Sequence, residues 1–132
     1  RLGIKMNFKM SWTLDEIGGN KLVPNWDMVL NQFRQIEGKK GTLTLDILNS
    51  SDDSAEMLQV RTENGYYQIT LGEIVQDEYQ VRTYWDSSKP DTGMVILGNY
   101  WPESQLTKDS EFIVKLLKEF FDTGNVSKEL LN

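Results

Sequence analysis

The chain has 132 residues, 20 of them Asp or Glu and 14 Lys or Arg, with no histidine and no cysteine. Those two missing types supply most activated nucleophiles, neutral-pH proton shuttles and transition-metal ligands, so the composition argues against an enzyme and excludes zinc sites built from them. A net charge of −6 disfavours nucleic acid and anionic membrane as partners, and no apolar run approaches the ~20 residues that span a bilayer.

A single domain over residues 1–132 is expected at this length, with the cytoplasm as the default compartment for a cysteine-free chain. Lys5, Asn7 and Lys9 interrupt the start, so Arg1 to Lys5 forms no signal-peptide core. Ile4, Met6, Phe8, Met10 and Trp12 alternate with polar residues, which predicts a half-buried strand over 4–12. Residues 15–20, containing Gly18-Gly19 without phosphate-loop spacing, read as a turn. Pro24 opens a helix over 24–37, with Trp26, Val29, Leu30, Phe33 and Ile36 as its apolar stripe and Gly38 as its stop. Strands follow at 42–48, 58–62 and 67–71, the last two joined by Asn64-Gly65, a strong hairpin signal because both turn positions need positive φ. A turn near Gln76-Asp77-Glu78 leads into a strand with Tyr79, Val81, Thr83 and Trp85 on one side. The run Met94 to Leu97, apolar on both sides, predicts a central or doubly covered strand. A second helix over 107–122 carries Phe112, Ile113, Leu116, Leu117 and Phe120 and ends at Gly124. The order β-α-β-β-β-β-β-α predicts an α+β fold: a mostly antiparallel sheet of about six strands with two main helices packed on one face.

The acidic excess is uneven. Residues 51–91 hold nine acidic and three basic side chains, whereas residues 1–50 hold five and seven, and residues 92–132 six and four. Strand parity places Leu58, Val60, Tyr67, Ile69, Val81 and Trp85 inward. Gln59, Arg61, Glu63, Tyr66, Gln68, Thr70, Gln80, Arg82, Tyr84 and Asp86 then face outward. Tyrosine, arginine, amides and carboxylates together are the blend of a protein-binding patch, although a solvated sheet face with stabilising cross-strand pairs is the simpler reading. The candidate partner-binding residues are Asp52, Asp53, Glu56, Glu63, Tyr66, Asp77, Glu78, Arg82, Tyr84 and Asp86. No catalytic, cofactor or metal residue is assigned, because Asp52-Asp53 and Asp77-Glu78 do not fit an EF-hand. A hydrolase using two carboxylates, with Trp85 and Trp101 flanking a sugar, is the enzyme alternative.

The run Ile96-Leu97-Gly98-Asn99-Tyr100-Trp101-Pro102, then Thr107-Lys108-Asp109, then Glu119-Phe120-Phe121-Asp122-Thr123-Gly124-Asn125-Val126-Ser127 resembles the ending of small bacterial immunity proteins. The helix start from Gly19-Asn20 to Trp26 and the strand from Gly41 to Leu45 fit the same outline. Such proteins neutralise toxin domains of polymorphic and contact-dependent growth inhibition systems. The resemblance implies a non-enzymatic, acidic inhibitor that covers the active site or substrate path of a basic, nuclease-type toxin, and it carries no functional residue across. A monomer is expected, with the toxin domain as partner. An acidic secretion chaperone holding an effector is the other binding-protein alternative.

Overall fold

Phe8 and Met10 point into the protein from β1 (Phe8–Leu14), while Lys9 and Ser11 point away, as a period of two requires. The computed structural model describes residues 7–48 and 55–131, so Ile4 and Met6 of the predicted strand, and Asp52 and Asp53 of the predicted partner surface, lie outside the described residues. Asp15 and Glu16, both at positive φ (49° and 73°), form a two-residue turn into β2 (Ile17–Leu22). This strand occupies the segment expected to be a plain turn. Gly18 and Gly19 lower its strand propensity, but Gly19 lies against the Trp12 indole, where a Cβ would stand 2.5 Å from the ring.

Helix α1 (Trp26–Ile36) starts at Asn25, whose side chain accepts the Met28 N–H at 2.9 Å, and buries Val29, Phe33 and Ile36. Strands β3 (Gly41–Ile47), β4 (Ala55–Glu63), β5 (Tyr66–Val75) and β6 (Glu78–Thr83) follow. The two later hairpins turn on Asn64-Gly65 and Gln76-Asp77, each with both residues at positive φ, the geometry whose twist matches paired strands. Then come β7 (Gly93–Ile96), β8 (Asn99–Pro102), a 3₁₀ turn at Glu103–Gln105, and α2 (Ser110–Thr123). Asp109 caps α2 by accepting the Phe112 N–H, and Gly124 closes it in the left-handed conformation (φ 78°).

The fold is α+β. Six antiparallel strands stand in the order β2-β1-β3-β4-β5-β6, with both helices on one face. The membership differs from expectation: β2 belongs to the sheet and β7 does not. The Met94–Leu97 run is not a central strand, since β7 pairs with β8 in a separate hairpin and Val95 is 56% exposed. Val95 is turned to water, Met94 and Leu97 are half-buried, and Ile96 is buried outside the main core. That core joins Leu43, Leu45, Leu58, Val60, Ile69 and Leu71 of the sheet to Phe33, Ile36, Leu116 and Phe120 of the helices, each worth about 1.5–3 kcal/mol of burial. Phe8 stacks on Phe121 with ring centroids 5.2 Å apart. No helix among the described residues is long and apolar enough to cross a membrane.

Candidate functional site

Away from the helices, the sheet presents rows of polar side chains that run across its strands. Ser11, Thr44, Gln59, Thr70 and Thr83 pair in one row, and Thr13, Thr42, Arg61 and Gln68 in the next. Gln59 Nε2 donates to Thr44 Oγ1 at 2.9 Å, Gln68 Nε2 donates to Thr70 Oγ1 at 2.8 Å, and the Thr13 and Thr42 hydroxyls lie 3.0 Å apart. These bonds occupy the face internally, the arrangement of a solvated sheet surface.

The β7–β8 hairpin covers one end of this face. The Leu97 N–H donates to Glu63 Oε1 at 2.8 Å, and the Arg61 guanidinium lies 5.5 Å above the centre of the Trp101 ring. Arg61 Nη1 donates to Gln68 Oε1 at 2.9 Å, and Gln68 is fully buried. Burial pushes the Arg61 pKa down. Tyr66 is half-buried with the Lys108 ammonium 4.8 Å from its ring centre. Glu63 and Tyr66 are therefore engaged inside the protein.

Strand β6 reverses the expected parity. Val75 pairs with Glu78 across the two-residue turn, which sets Leu71 opposite Arg82 and Gly72 opposite Val81. Arg82 thus shares the helix-facing side with Leu71, and a one-residue difference in parity moves every side chain of the strand to the other face. Arg82 is buried there: its Nε donates to Glu73 Oε2 at 3.1 Å and its Nη2 to Asn125 Oδ1 at 2.7 Å. Tyr84 packs edge-on against Phe112 of α2, centroids 5.4 Å apart. Neither residue belongs to an outward patch, contrary to the sequence-based expectation.

The exposed residues of this region are the ones expected inside. Tyr79 is 54% exposed, Val81 56% and Trp85 47%. The Tyr79 phenol lies over Gly72, where any Cβ would meet its hydroxyl. Asp77 and Glu78 are exposed at the turn that begins β6. Asp86 lies just beyond its far end, held below the usual carboxylate range by hydrogen bonds from the Ser88 hydroxyl and N–H. Glu56 is half-buried at the start of β4. The structure thus brings Asp77 and Glu78 to one end of β6 and Asp86 to the other, and sets Glu63 apart under the β7–β8 hairpin and Tyr66 against Lys108. Tyr79, Val81 and Trp85 were missed as surface residues; the length of the Gln76-Asp77 turn was the signal that assigns their face.

Among the described residues, no three metal-ligating side chains gather in one place. An open groove of about 510 Å³ between α2 and the C-terminal segment is walled by Lys118, Glu119, Asp122 and Glu129. Lys118 pairs with Asp122 at 3.0 Å and Glu119 accepts the Ser127 hydroxyl at 2.6 Å, so much of the groove's charge is answered within it. Apolar side chains also stand open to water at β2 (Ile17 and Leu22) and on the β7–β8 hairpin (Val95 and Tyr100), but the strip on and just after β6 is the one bounded by the predicted carboxylates Asp77, Glu78 and Asp86.

A crystal structure described as a hypothetical protein from Neisseria gonorrhoeae is similar, with a TM-score of 0.79 and 21% identity over 96% of this chain and 95% of that one. At that identity the likeness speaks for the fold. No curated protein matches the chain. A family model matches residues 8–130, from the first residue of β1 almost to the end of the chain, and the protein therefore belongs to the family of unknown function DUF6911.

Proposed function

We propose that the protein is a bacterial immunity protein, which binds a cognate toxin domain in the cytoplasm and neutralises it by covering its active site or substrate path. The observation that carries this reading is the exposure of Tyr79, Val81 and Trp85 on and just after an edge strand, between Asp77-Glu78 and Asp86. Large apolar side chains inside a charged border are the anatomy of a protein interface: the centre loses water on contact and the border steers the encounter. The border is acidic, which fits a basic partner such as a nuclease-type toxin. The nine acidic residues of 51–91 and the resemblance of the C-terminal run to immunity proteins support the same reading.

Inhibition by such a surface needs no reacting group, only a tight fit and rapid capture. The interface moves from the Tyr66–Arg82–Tyr84 surface expected from parity to Tyr79, Val81 and Trp85. Co-expression with the product of the adjacent upstream reading frame tests the function. A stable complex and rescue of cells from that product are expected; an upstream frame without a toxin domain, together with no co-purifying complex, would sink the proposal.

A further inference from the structure

Strand β6 ends the sheet, and the turn that begins it reveals what its edge offers. In a two-residue hairpin the flanking pair, here Val75 and Glu78, exchanges backbone hydrogen bonds, and bonded and non-bonded pairs then alternate. Glu78, Gln80 and Arg82 accordingly turn their N–H and C=O groups to β5. The same groups of Tyr79, Val81 and Thr83 point to the free edge. Among the described residues, no further backbone hydrogen bond engages these three.

Edge strands usually guard themselves with a lysine, a proline or a bulge. β6, Glu-Tyr-Gln-Val-Arg-Thr, has no lysine or proline, and its pairing with β5 runs without a register shift. Its charges are Glu78 at the start and Arg82, whose inward guanidinium is bound within the protein to Glu73 and Leu131 and leaves the outer edge free. The other edge, β2, carries Lys21 and the weak strand formers Gly18 and Gly19. Tyr79, Val81 and Thr83, whose backbone faces outward, also turn their side chains to the open face. Asp77 and Glu78, at the start of the strand, take part in no ion pair among the described residues.

We infer that the partner adds an extended strand to the free edge of β6. That strand carries Lys or Arg towards Asp77 and Glu78, and apolar side chains at alternate positions against Tyr79 and Val81. Main-chain bonds supply affinity in this mode and alternate side chains supply selectivity. The inference rests on the immunity reading for the identity of the partner and extends it to the manner of recognition.

The test uses the full chain and the purified toxin domain. Val81→Pro removes an outward N–H without removing a bond to β5, whereas Val81→Thr keeps that N–H and changes only the side chain. Asn20→Pro makes the equivalent change at β2. Loss of an edge hydrogen bond predicts that Val81→Pro weakens binding by about tenfold to a hundredfold. Val81→Thr should fall well short of that, and Asn20→Pro should bind as wild type. In the wild-type complex the amides of Tyr79, Val81 and Thr83 should gain protection from hydrogen exchange. A complex in which those amides exchange as in the free protein, or in which protection appears at β2, overturns strand addition and leaves the immunity reading standing. Absence of any complex removes both.

Discussion

Arg82 Nη1 donates to the main-chain carbonyl of Leu131 at 3.0 Å, tying the edge strand to the end of the chain across 49 positions. The same guanidinium reaches the Val126 carbonyl at 3.0 Å and the Glu73 carboxylate at 3.1 Å. The two charged side chains are only 8% and 12% exposed. Arg82→Met therefore leaves a buried carboxylate and two carbonyls without donors, and a loss of about 3–5 kcal/mol is expected in urea unfolding. Glu73→Gln keeps an acceptor for Nε and should cost less. A loss under about 1 kcal/mol for Arg82→Met would mean that the C-terminal segment holds its place without the arginine.

The same residue shows why the site was harder to read than the fold. Alternation made the sheet and both helices legible, because the stripes of Leu43-Leu45-Ile47 and Ile113-Leu116-Leu117-Phe120 admit one buried side. In β6 the alternation favours Val81 inward, yet Arg82 goes in, because a guanidinium with four partners is stable where an unpaired one is not. Hydrophobicity carries no trace of partners that lie some 40 residues away in the chain. The Asn64-Gly65 hairpin was readable from local turn chemistry. Strand β2 was not, since its glycines are explained by Trp12 on the neighbouring strand.

Gly19→Ala places a methyl group against the Trp12 ring, at a spacing that neither side can keep. The indole must swing or β2 must lift, and an overpacking loss of about 1–3 kcal/mol is expected. Gly18→Ala, whose Cβ meets the Trp12 carbonyl at an ordinary 3.5 Å, is the matched control and should cost clearly less. Equal unfolding midpoints for the two variants would show that Trp12 does not constrain this strand.

Asp109 accepts the Phe112 N–H at 3.1 Å and is the side-chain cap at the start of α2. Asp109→Ala should lower stability by about 1 kcal/mol, whereas Asp109→Asn, which keeps the accepting oxygen, should lose little. Denaturant midpoints at fixed slope separate the two outcomes.

Arg34 bonds Glu111 of α2 at 2.8 Å and Glu37 of its own helix end at 3.2 Å. The hydrogen bond from Arg34 holds the Glu111 carboxyl below its ordinary value of 4.5, with burial opposing, and the Arg34 pKa rises in return. A carboxylate depressed in the folded state contributes stability that is present above its unfolded value and is lost as pH falls through the folded one. Stability should therefore decline in acid below about pH 4.5 on this account. Asp46 runs the opposite way, because burial raises its pKa and protonation relieves it. Arg34→Gln should move the Glu111 titration midpoint upward by carboxyl-carbon NMR; an unmoved midpoint would show that the pair does not persist in solution.

Asp77 and Glu78 adjoin the apolar strip of β6, where they steer the encounter and face the Lys or Arg of the inferred partner strand. Converting both to lysine should slow association with the proposed toxin domain by about tenfold at low salt, and should also speed dissociation, because like charges then meet in the complex. The difference should fade as the screening length falls from about 10 Å at 0.1 M salt to about 3 Å at 1 M. Glu63→Gln and Tyr66→Phe provide the comparison, because Glu63 is held by the Leu97 N–H and the Tyr66 ring lies against Lys108. Stopped-flow association at two salt concentrations reads both pairs. The first pair raises the net charge by four and the second by one, so slowing in that proportion would mean that net charge, and not the position of the acids beside β6, governs capture; slowing confined to Asp77 and Glu78 favours an approach at the edge strand.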